Sequence, residues 1–172
     1  IKGPKFDGHD FAAEALRAGA AAVVVERLPA GLDDRDHLLV VGNSMQALEN
    51  LGRAARARTN ARVVAVTGSV GKTGTKAALA HVLGAQGGTH ASTGNFNNQW
   101  GVPLSLARTP RDSRFGVYEI GMNHAGEIEP LTRMVRPHVA VVVNVEAVHL
   151  EFFPSVEAIA DAKAEVFVGV EA

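Results

Sequence analysis

The chain has 172 residues, 47% of them hydrophobic and 20% charged, which is enough for one domain with a core or for one domain and part of another. Its formal net charge of -1 gives no global field that would favour nucleic acid, a membrane surface or an acidic polymer. It has no cysteine for a disulfide or a thiolate nucleophile, and no stretch reaches the roughly 18–20 apolar residues that span a bilayer.

The first elements in chain order are a short helix and two strands. The pattern of residues 11–18 predicts a helix, and Gly19 is suited to end it. The apolar residues 21–26 and 38–41 predict two short strands. Residues 28–35 lie between these strands and contain proline and glycine, so we expect a loop there.

A longer helix is predicted next, with Ser44 as its N-cap and its end near Arg58. Its apolar stripe would consist of Met45, Leu48, Leu51 and Ala55. Its arginines lie toward the carboxyl end, where the helix dipole favours positive charge. We place the domain junction at residues 59–61.

The rest of the chain alternates buried strands with helices. The predicted strands are residues 63–66, 116–120 and 139–145, and the predicted helices are residues 76–83, 128–135 and 156–167. Apolar strands that alternate with helices indicate an α/β fold with a mostly parallel sheet and helices on both faces.

The motif TGSVGKT at residues 67–73 lies between a predicted strand and a predicted helix. Its glycines allow backbone N–H groups to approach phosphate oxygens, and the helix N-terminus adds partial positive charge. Lys72 would reach the terminal phosphates, and the Thr73 hydroxyl would bind magnesium. The motif is shorter than the general pattern, because Val66 or Thr67 stands where a glycine is expected. The alternative is a glycine-rich turn with a surface lysine, which the strand–loop–helix context disfavours.

Acidic and imidazole groups follow the later strands. Ligands of parallel sheets lie at the carboxyl ends of strands, and Glu119 ends one such strand. We expect it to bind magnesium directly or through water, the alternative being a glutamate that faces solvent. His149 is a second candidate ligand, although a lone histidine is more often a surface group. Glu146 is a competing acid at the same strand end.

Lys163 shares a helix face with Val156 and Ile159. Its ammonium either extends to solvent, which the pattern favours, or is partly buried with a lowered pKa. A neutral amine can react with carbon dioxide and become a metal ligand. The asparagines of residues 93–98 are typical of turns, and they also suit contacts with phosphate, metal or sugar.

The order and spacing of these segments resemble the Mur ligase family over nearly the whole chain. The matching segments are FDGHDF at 6–11, TGSVGKTGTK at 67–76, TGNFNN at 93–98, GVPL at 101–104, EIGMNHAGEI at 119–128, HLEFF at 149–153 and AKAE at 162–165. The set is far more specific than any single motif.

This resemblance implies a cytoplasmic, monomeric, ATP- and magnesium-dependent amide-bond ligase of peptidoglycan precursor synthesis. Within the family, residues 123–128 favour the member that joins D-alanyl-D-alanine to UDP-N-acetylmuramoyl-tripeptide through an acyl phosphate. Alternatives are a ligase of the family that adds a different amino acid and a non-catalytic nucleotide-binding module. A GTP-dependent switch or a small kinase is disfavoured, because the guanine-binding motif Asn-Lys-x-Asp is absent from the sequence.

The resemblance also implies residue roles. The ATP phosphates would be bound by Gly68, Ser69, Val70, Gly71, Lys72, Thr73 and Gly74, with help from Asn95. The magnesium ligands would be Thr73, Glu119 and His149. Ser92 and Thr93 would lie near the UDP-linked substrate. Lys163 matches a lysine that is carbamylated in the family, and with Lys72, Glu119 and His149 it would form the catalytic set.

Members of the family have three domains. The resemblance places residues 1–59 in a partial N-terminal UDP-substrate-binding domain and residues 60–172 in a partial central ATPase domain, without the C-terminal domain. The chain begins with Ile1, and its last residues continue an apolar pattern. We therefore expect a part of a longer protein that does not catalyse ligation by itself.

Overall fold

The structure is a computed structural model that describes residues 1–3, 5–32, 37–148 and 150–171. The chain divides into two compact units, residues 1–49 and 50–172. The division lies on the N-terminal side of the predicted junction at residues 59–61. Within the described ranges, no helix is long and apolar enough to cross a membrane.

The first unit contains the short elements that its sequence predicts. A 3-10 helix at Gly8–Phe11 leads into α1 (Ala12–Arg17), and Gly19 follows with a positive φ of 95°. The strands β1 (Val23–Val25) and β2 (Leu38–Val40) pair in parallel. A small core of Ala12, Val25 and Leu38 holds the helix on the strands.

The helix α2 (Ser44–Ala57) is present, but two predictions about it are wrong. Its N-cap is Asn43, whose Oδ1 accepts from the Gln46 N–H at 2.8 Å, while the Ser44 hydroxyl donates to Glu26. Leu51 is 50% exposed, although it was predicted in the apolar stripe. The helix buries Gly52 instead. A Cβ at this position would lie only 3.0 Å from the Pro103 backbone, so glycine allows the close approach of the two segments.

Arg56 lies in the last turn of α2, at the end where positive charge was expected, and its side chain is buried. Its guanidinium donates to the carbonyl oxygens of Val135 at 2.7 Å and Arg136 at 2.8 Å. A third bond reaches a carboxylate oxygen of Glu171 at 3.2 Å. These carbonyls lie at the end of a later helix, so Arg56 supplies hydrogen bonds that the helix cannot make internally.

The second unit is built on four parallel strands in the order β4-β5-β3-β6. The strands are β3 (Arg62–Thr67), β4 (Thr89–Ala91), β5 (Phe115–Glu119) and β6 (Val139–Val142). The helices are α3 (Lys72–Gly84), α4 (Gly101–Ala107), α5 (Ile128–Val135) and α6 (Val156–Ala164), and a 3-10 helix follows at Glu165–Gly169.

Both faces of this sheet are covered, as predicted. Val63 and Tyr118 point to one face, where they join the core formed with α4, α5 and α6. Glu119 follows Tyr118 and therefore points to the opposite face, where it contacts Thr73 and Lys76 of α3. The α/β prediction is confirmed.

Two elements of the second unit were not predicted. The edge strand β4 has the sequence Thr-His-Ala, which carries no apolar run. The helix α4 contains Pro103, but this proline lies in the first turn, where its missing N–H costs no helical hydrogen bond. In addition, α3 begins at Lys72 rather than at residue 76, so the motif lysine lies in its first turn.

Candidate functional site

The motif at residues 67–73 forms a loop between the carboxyl end of β3 and the start of α3. Gly68 and Gly71 have φ angles of 153° and 82°, a backbone region that residues with side chains rarely adopt. Gly71 is the N-cap of α3, and its left-handed conformation turns the chain into the helix. The loop therefore ends at a helix N-terminus, which favours bound anions.

The segment after β6 supports this loop. The Ser69 N–H donates to the Asn144 carbonyl oxygen at 3.1 Å, and the Val70 N–H donates to Asn144 Oδ1 at 3.0 Å. The Ser69 hydroxyl accepts from the Glu146 N–H at 2.9 Å and lies 3.2 Å from the Glu146 carbonyl oxygen. Glu146 acts here through its backbone, and its side chain is exposed.

Glu119 is the centre of the polar cluster behind the loop. It is 1% exposed, so the alternative of a solvent-facing glutamate is wrong. Its Oε2 accepts from the Thr73 hydroxyl at 2.9 Å and from the Lys76 ammonium at 3.2 Å. Its Oε1 accepts from the Asn97 amide at 2.8 Å, and its backbone N–H donates to the Ser92 hydroxyl at 3.1 Å. The carboxylate orientation is therefore fixed from several elements.

Lys76 and Asn97 belong to this cluster but were not singled out in the sequence. Lys76 follows Thr73 by three residues, so both lie on one face of α3, a spacing that could have identified it. Asn97 was one of three asparagines without a distinguishing pattern. The backbone of Asn97 is also fixed, because its carbonyl oxygen accepts from the Gly121 N–H at 2.8 Å.

Lys72, which is half-buried, and Lys163, which is buried, add positive charge to the site. Lys72 donates to the carbonyl oxygens of Gly68 at 2.7 Å and Ser69 at 3.2 Å. Burial lowers the pKa of Lys72, and the Glu119 carboxylate partly opposes this shift. Lys163 is 2% exposed, so the alternative that the pattern alone favoured, an ammonium that extends to solvent, is wrong. Burial, reinforced by the charge of Lys72, lowers the pKa of Lys163 from 10.5 to about 8.

The oxygen donors in the cluster suit magnesium. The Thr73 hydroxyl and a Glu119 carboxylate oxygen lie 2.9 Å apart, and magnesium prefers a few such oxygens completed by water and phosphate. The Thr67 hydroxyl oxygen is buried at the base of the loop and has no hydrogen-bond partner among the described residues. Across the described residues, no group of three His, Asp or Glu side chains is placed to bind a metal. His149 lies outside the described residues.

The remaining predicted site residues lie on the loop after β4. Ser92 is buried and accepts the Glu119 N–H, whereas Thr93 and Asn95 are exposed. The Asn95 carbonyl oxygen accepts from the Asn97 N–H at 2.8 Å. The structure therefore brings Ser92, Thr73 and Glu119 into one hydrogen-bonded cluster but connects Asn95 to it only through the backbone.

Comparison with protein families identifies residues 66–172 as a match to the Mur ligase middle domain. Curated relatives include UDP-N-acetylmuramoyl-tripeptide--D-alanyl-D-alanine ligases from two organisms. The Rickettsia prowazekii protein is 42% identical over 161 residues, which cover 94% of this chain and 36% of the relative. The Bacillus subtilis protein is 39% identical over 171 residues, which cover 99% of this chain and 37% of the relative.

Solved structures show the same similarity. A crystal structure of MurF from Acinetobacter baumannii has a TM-score of 0.86 and 36% identity, over 99% of this chain and 37% of that one. MurF from Thermotoga maritima in complex with ADP has a TM-score of 0.82 and 37% identity, over 99% of this chain and 39% of that one. The chain thus spans well under half the length of the proteins it matches.

Proposed function

The chain belongs to the Mur ligase family, and from this we propose that it is the phosphate-binding part of a MurF-type ligase. The whole protein would join D-alanyl-D-alanine to UDP-N-acetylmuramoyl-tripeptide in the cytoplasm, as a monomer that uses ATP. Residues 1–59 would belong to the UDP-substrate-binding domain and residues 60–172 to the ATPase domain. The observation that carries the proposal is the 2.9 Å hydrogen bond between Thr73, directly after the glycine loop, and the buried Glu119.

The proposed reaction has two steps. The terminal carboxylate of the tripeptide attacks the γ-phosphorus of ATP, the bond to the β-phosphate oxygen breaks, and ADP and an acyl phosphate form. The amine of D-alanyl-D-alanine then attacks the carbonyl carbon, phosphate leaves, and the amine loses a proton. Both steps transfer charge among phosphate oxygens, so positioned positive groups lower the barrier.

Residues of the loop would supply that charge. Lys72 would exchange its hydrogen bonds to the loop carbonyls for the terminal phosphate oxygens, since its ammonium already lies 2.7 Å from the Gly68 carbonyl oxygen. The backbone N–H groups at the start of α3 would donate hydrogen bonds to the same phosphate groups. Gly74 follows in the first turn of α3, and Asn95 would approach the nucleotide from the loop after β4. Thr93 and, behind it, Ser92 would lie near the UDP-linked substrate.

Thr73 and Glu119 would hold magnesium, with His149 as a further ligand. The ion, when bound, would neutralise part of the phosphate charge. Lys163 would be carbamylated, because an amine whose pKa is about 8 is deprotonated far more often near neutral pH than an ordinary lysine and can add carbon dioxide. The neutral amine would form an N–C bond with carbon dioxide and release a proton to solvent, so that a carbamate anion that assists metal placement replaces a buried cation.

Thermal unfolding with and without magnesium-ATP tests the phosphate site. ATP at about 100 times its dissociation constant should stabilise the chain by roughly 2.7 kcal/mol. Lys72→Ala should reduce this effect, chelation of magnesium should weaken it, and Lys5→Ala at an exposed position should leave it unchanged. An equal effect of ATP on the parent and on Lys72→Ala would count against the phosphate site.

A second experiment separates the alternatives. In a polypeptide extended to the full length of the relatives, the proposal predicts phosphate release that depends on D-alanyl-D-alanine. Release that depends on a different amino acid would assign the chain to another branch of the family. Nucleotide binding without release would favour a non-catalytic module. The 172-residue chain alone is expected to bind nucleotide without ligation.

A further inference from the structure

A second concentration of charge lies at the opposite edge of the same sheet. The strands β3 and β5 are parallel, so their amino ends share the edge away from the glycine loop. At this edge an open cleft of about 400 Å³ is lined by Arg62, Arg111 and Arg114. The six residues of β3 separate it from the loop by roughly 15–20 Å, and the proposed ligase reaction gives these arginines no role.

The positive charge of the cleft is not neutralised locally. Asp112 is the one acidic residue of the lining, and it forms no ion pair with the arginines in the part of the chain that the structure describes. The exposed side chains of Arg62 and Arg111 likewise donate no hydrogen bond to a described residue. Because the whole chain has a net charge of -1, this cluster does not reflect a generally basic surface.

The cleft is also partly preorganised. The Arg62 N–H donates to the Arg114 carbonyl oxygen at 2.9 Å, which ties the two chain segments together. The Arg114 side chain is fixed by a 2.8 Å bond to the Gln86 carbonyl oxygen and lies over the Phe115 ring. Ser113 is buried in the wall of the cleft. Binding would therefore need to order mainly Arg62 and Arg111, which limits the entropic cost.

We propose that this cleft binds a phosphate or diphosphate group at a site distinct from the glycine loop. Guanidinium groups present planar pairs of donors that match phosphate oxygens, and such charge-assisted bonds are stronger than neutral ones. The cleft is open, and its volume of about 400 Å³ is large enough for a small ligand group. The phosphate group belongs either to a soluble molecule or to a lipid headgroup, two sources with the same recognition chemistry.

Inorganic pyrophosphate is the probe, titrated into the isotope-labelled chain and followed by amide NMR shifts. We expect shifts at residues 111–115 and an affinity that falls at least about tenfold in the double variant Arg62→Ala/Arg111→Ala. Arg133→Ala is the charge-matched control for one arginine, since Arg133 is exposed and forms an ion pair with Glu129 in its own helix. In Lys72→Ala, the shifts at residues 111–115 should persist.

Three results would overturn the site: shifts confined to the glycine loop, no response of residues 111–115 up to roughly 10 mM, or unchanged affinity in the double variant. Sedimentation with phosphatidylcholine vesicles that contain phosphatidylglycerol identifies the source. If the parent chain binds the vesicles and the double variant does not, the bound phosphate group is that of a lipid headgroup. Pyrophosphate binding without vesicle binding would assign a soluble phosphate. Vesicle binding that the double variant retains, together with pyrophosphate binding that it loses, would likewise assign a soluble phosphate.

Discussion

Lys163 keeps an ammonium group where water is almost excluded, and removing that charge should make the chain more stable. The residue is 2% exposed and has no hydrogen-bond or ion-pair partner among the described residues. Burial and the charge of Lys72 lower its pKa from 10.5 to about 8. Each pH unit of such a difference corresponds to about 1.4 kcal/mol, so folding with a protonated Lys163 costs roughly 3 kcal/mol.

The substitution Lys163→Met removes the charge and keeps the length of the side chain. Below pH 8 both the folded and the unfolded parent carry the proton, and the full cost applies. Between pH 8 and 10.5 the unfolded chain binds more protons than the folded chain, so the stability of the parent rises with pH. The advantage of Lys163→Met should therefore fall from roughly 3 kcal/mol at pH 7 to about 1 kcal/mol at pH 9.5.

Urea unfolding at the two pH values measures this difference. The buffers must be depleted of carbon dioxide, because a carbamate would remove the same cation from the parent. Lys5→Met at an exposed position is the control and should change stability by less than about 0.5 kcal/mol. A Lys163→Met chain that is less stable than the parent at pH 7, or an advantage that does not change with pH, would refute the electrostatic argument.

Three further substitutions test contacts described above. Arg56→Met should lower the free energy of unfolding by about 3 kcal/mol in urea titrations, because a buried and a partly buried carbonyl oxygen lose their donor, whereas Arg133→Met should cost less than about 1 kcal/mol. Equal effects of the two would contradict the buried role of Arg56. Gly121→Ala would place a Cβ 2.9 Å from the Asn97 side chain, so calorimetry should show weaker magnesium-ATP binding with the fold retained. Ser155→Ala removes the side chain that accepts the Ala158 N–H at 3.2 Å and should lower the thermal midpoint by an amount equivalent to about 1 kcal/mol.

Periodic and motif-bearing segments were predictable from the sequence. The helix predicted at residues 128–135 matches α5 at both ends, because its apolar stripe and its flanking segments agree. The glycine loop and the strand before it were likewise recognisable, since phosphate-binding geometry places strong demands on both residue type and spacing. In these segments local pattern and tertiary structure favour the same conformation.

Tertiary contacts decided the features that sequence analysis missed. The edge strand β4 has no apolar run, and pairing with β5 makes it a strand. The pattern alone favoured a surface position for Lys163, because an isolated lysine on an apolar face usually extends to solvent, yet only 2% of the residue is exposed. Asn97 is distinguished from Asn95 only by its proximity to Glu119, a residue 22 positions away. Whether such a residue is paired, buried or in contact with the site depends on which segments pack together in the fold, and a single sequence does not reveal that packing.

The bonds that shape the glycine loop also have a consequence for the order of folding. Ser69 is held by Glu146, 77 residues away, and Thr73 by Glu119, 46 residues away. Contacts at such separations require long loops to close first, so the loop should reach its final shape late, after β5 and β6 have docked. A ligand that binds only this late structure stabilises the native state and not the folding transition state. Nucleotide should therefore slow the unfolding of the chain and leave its folding rate nearly unchanged.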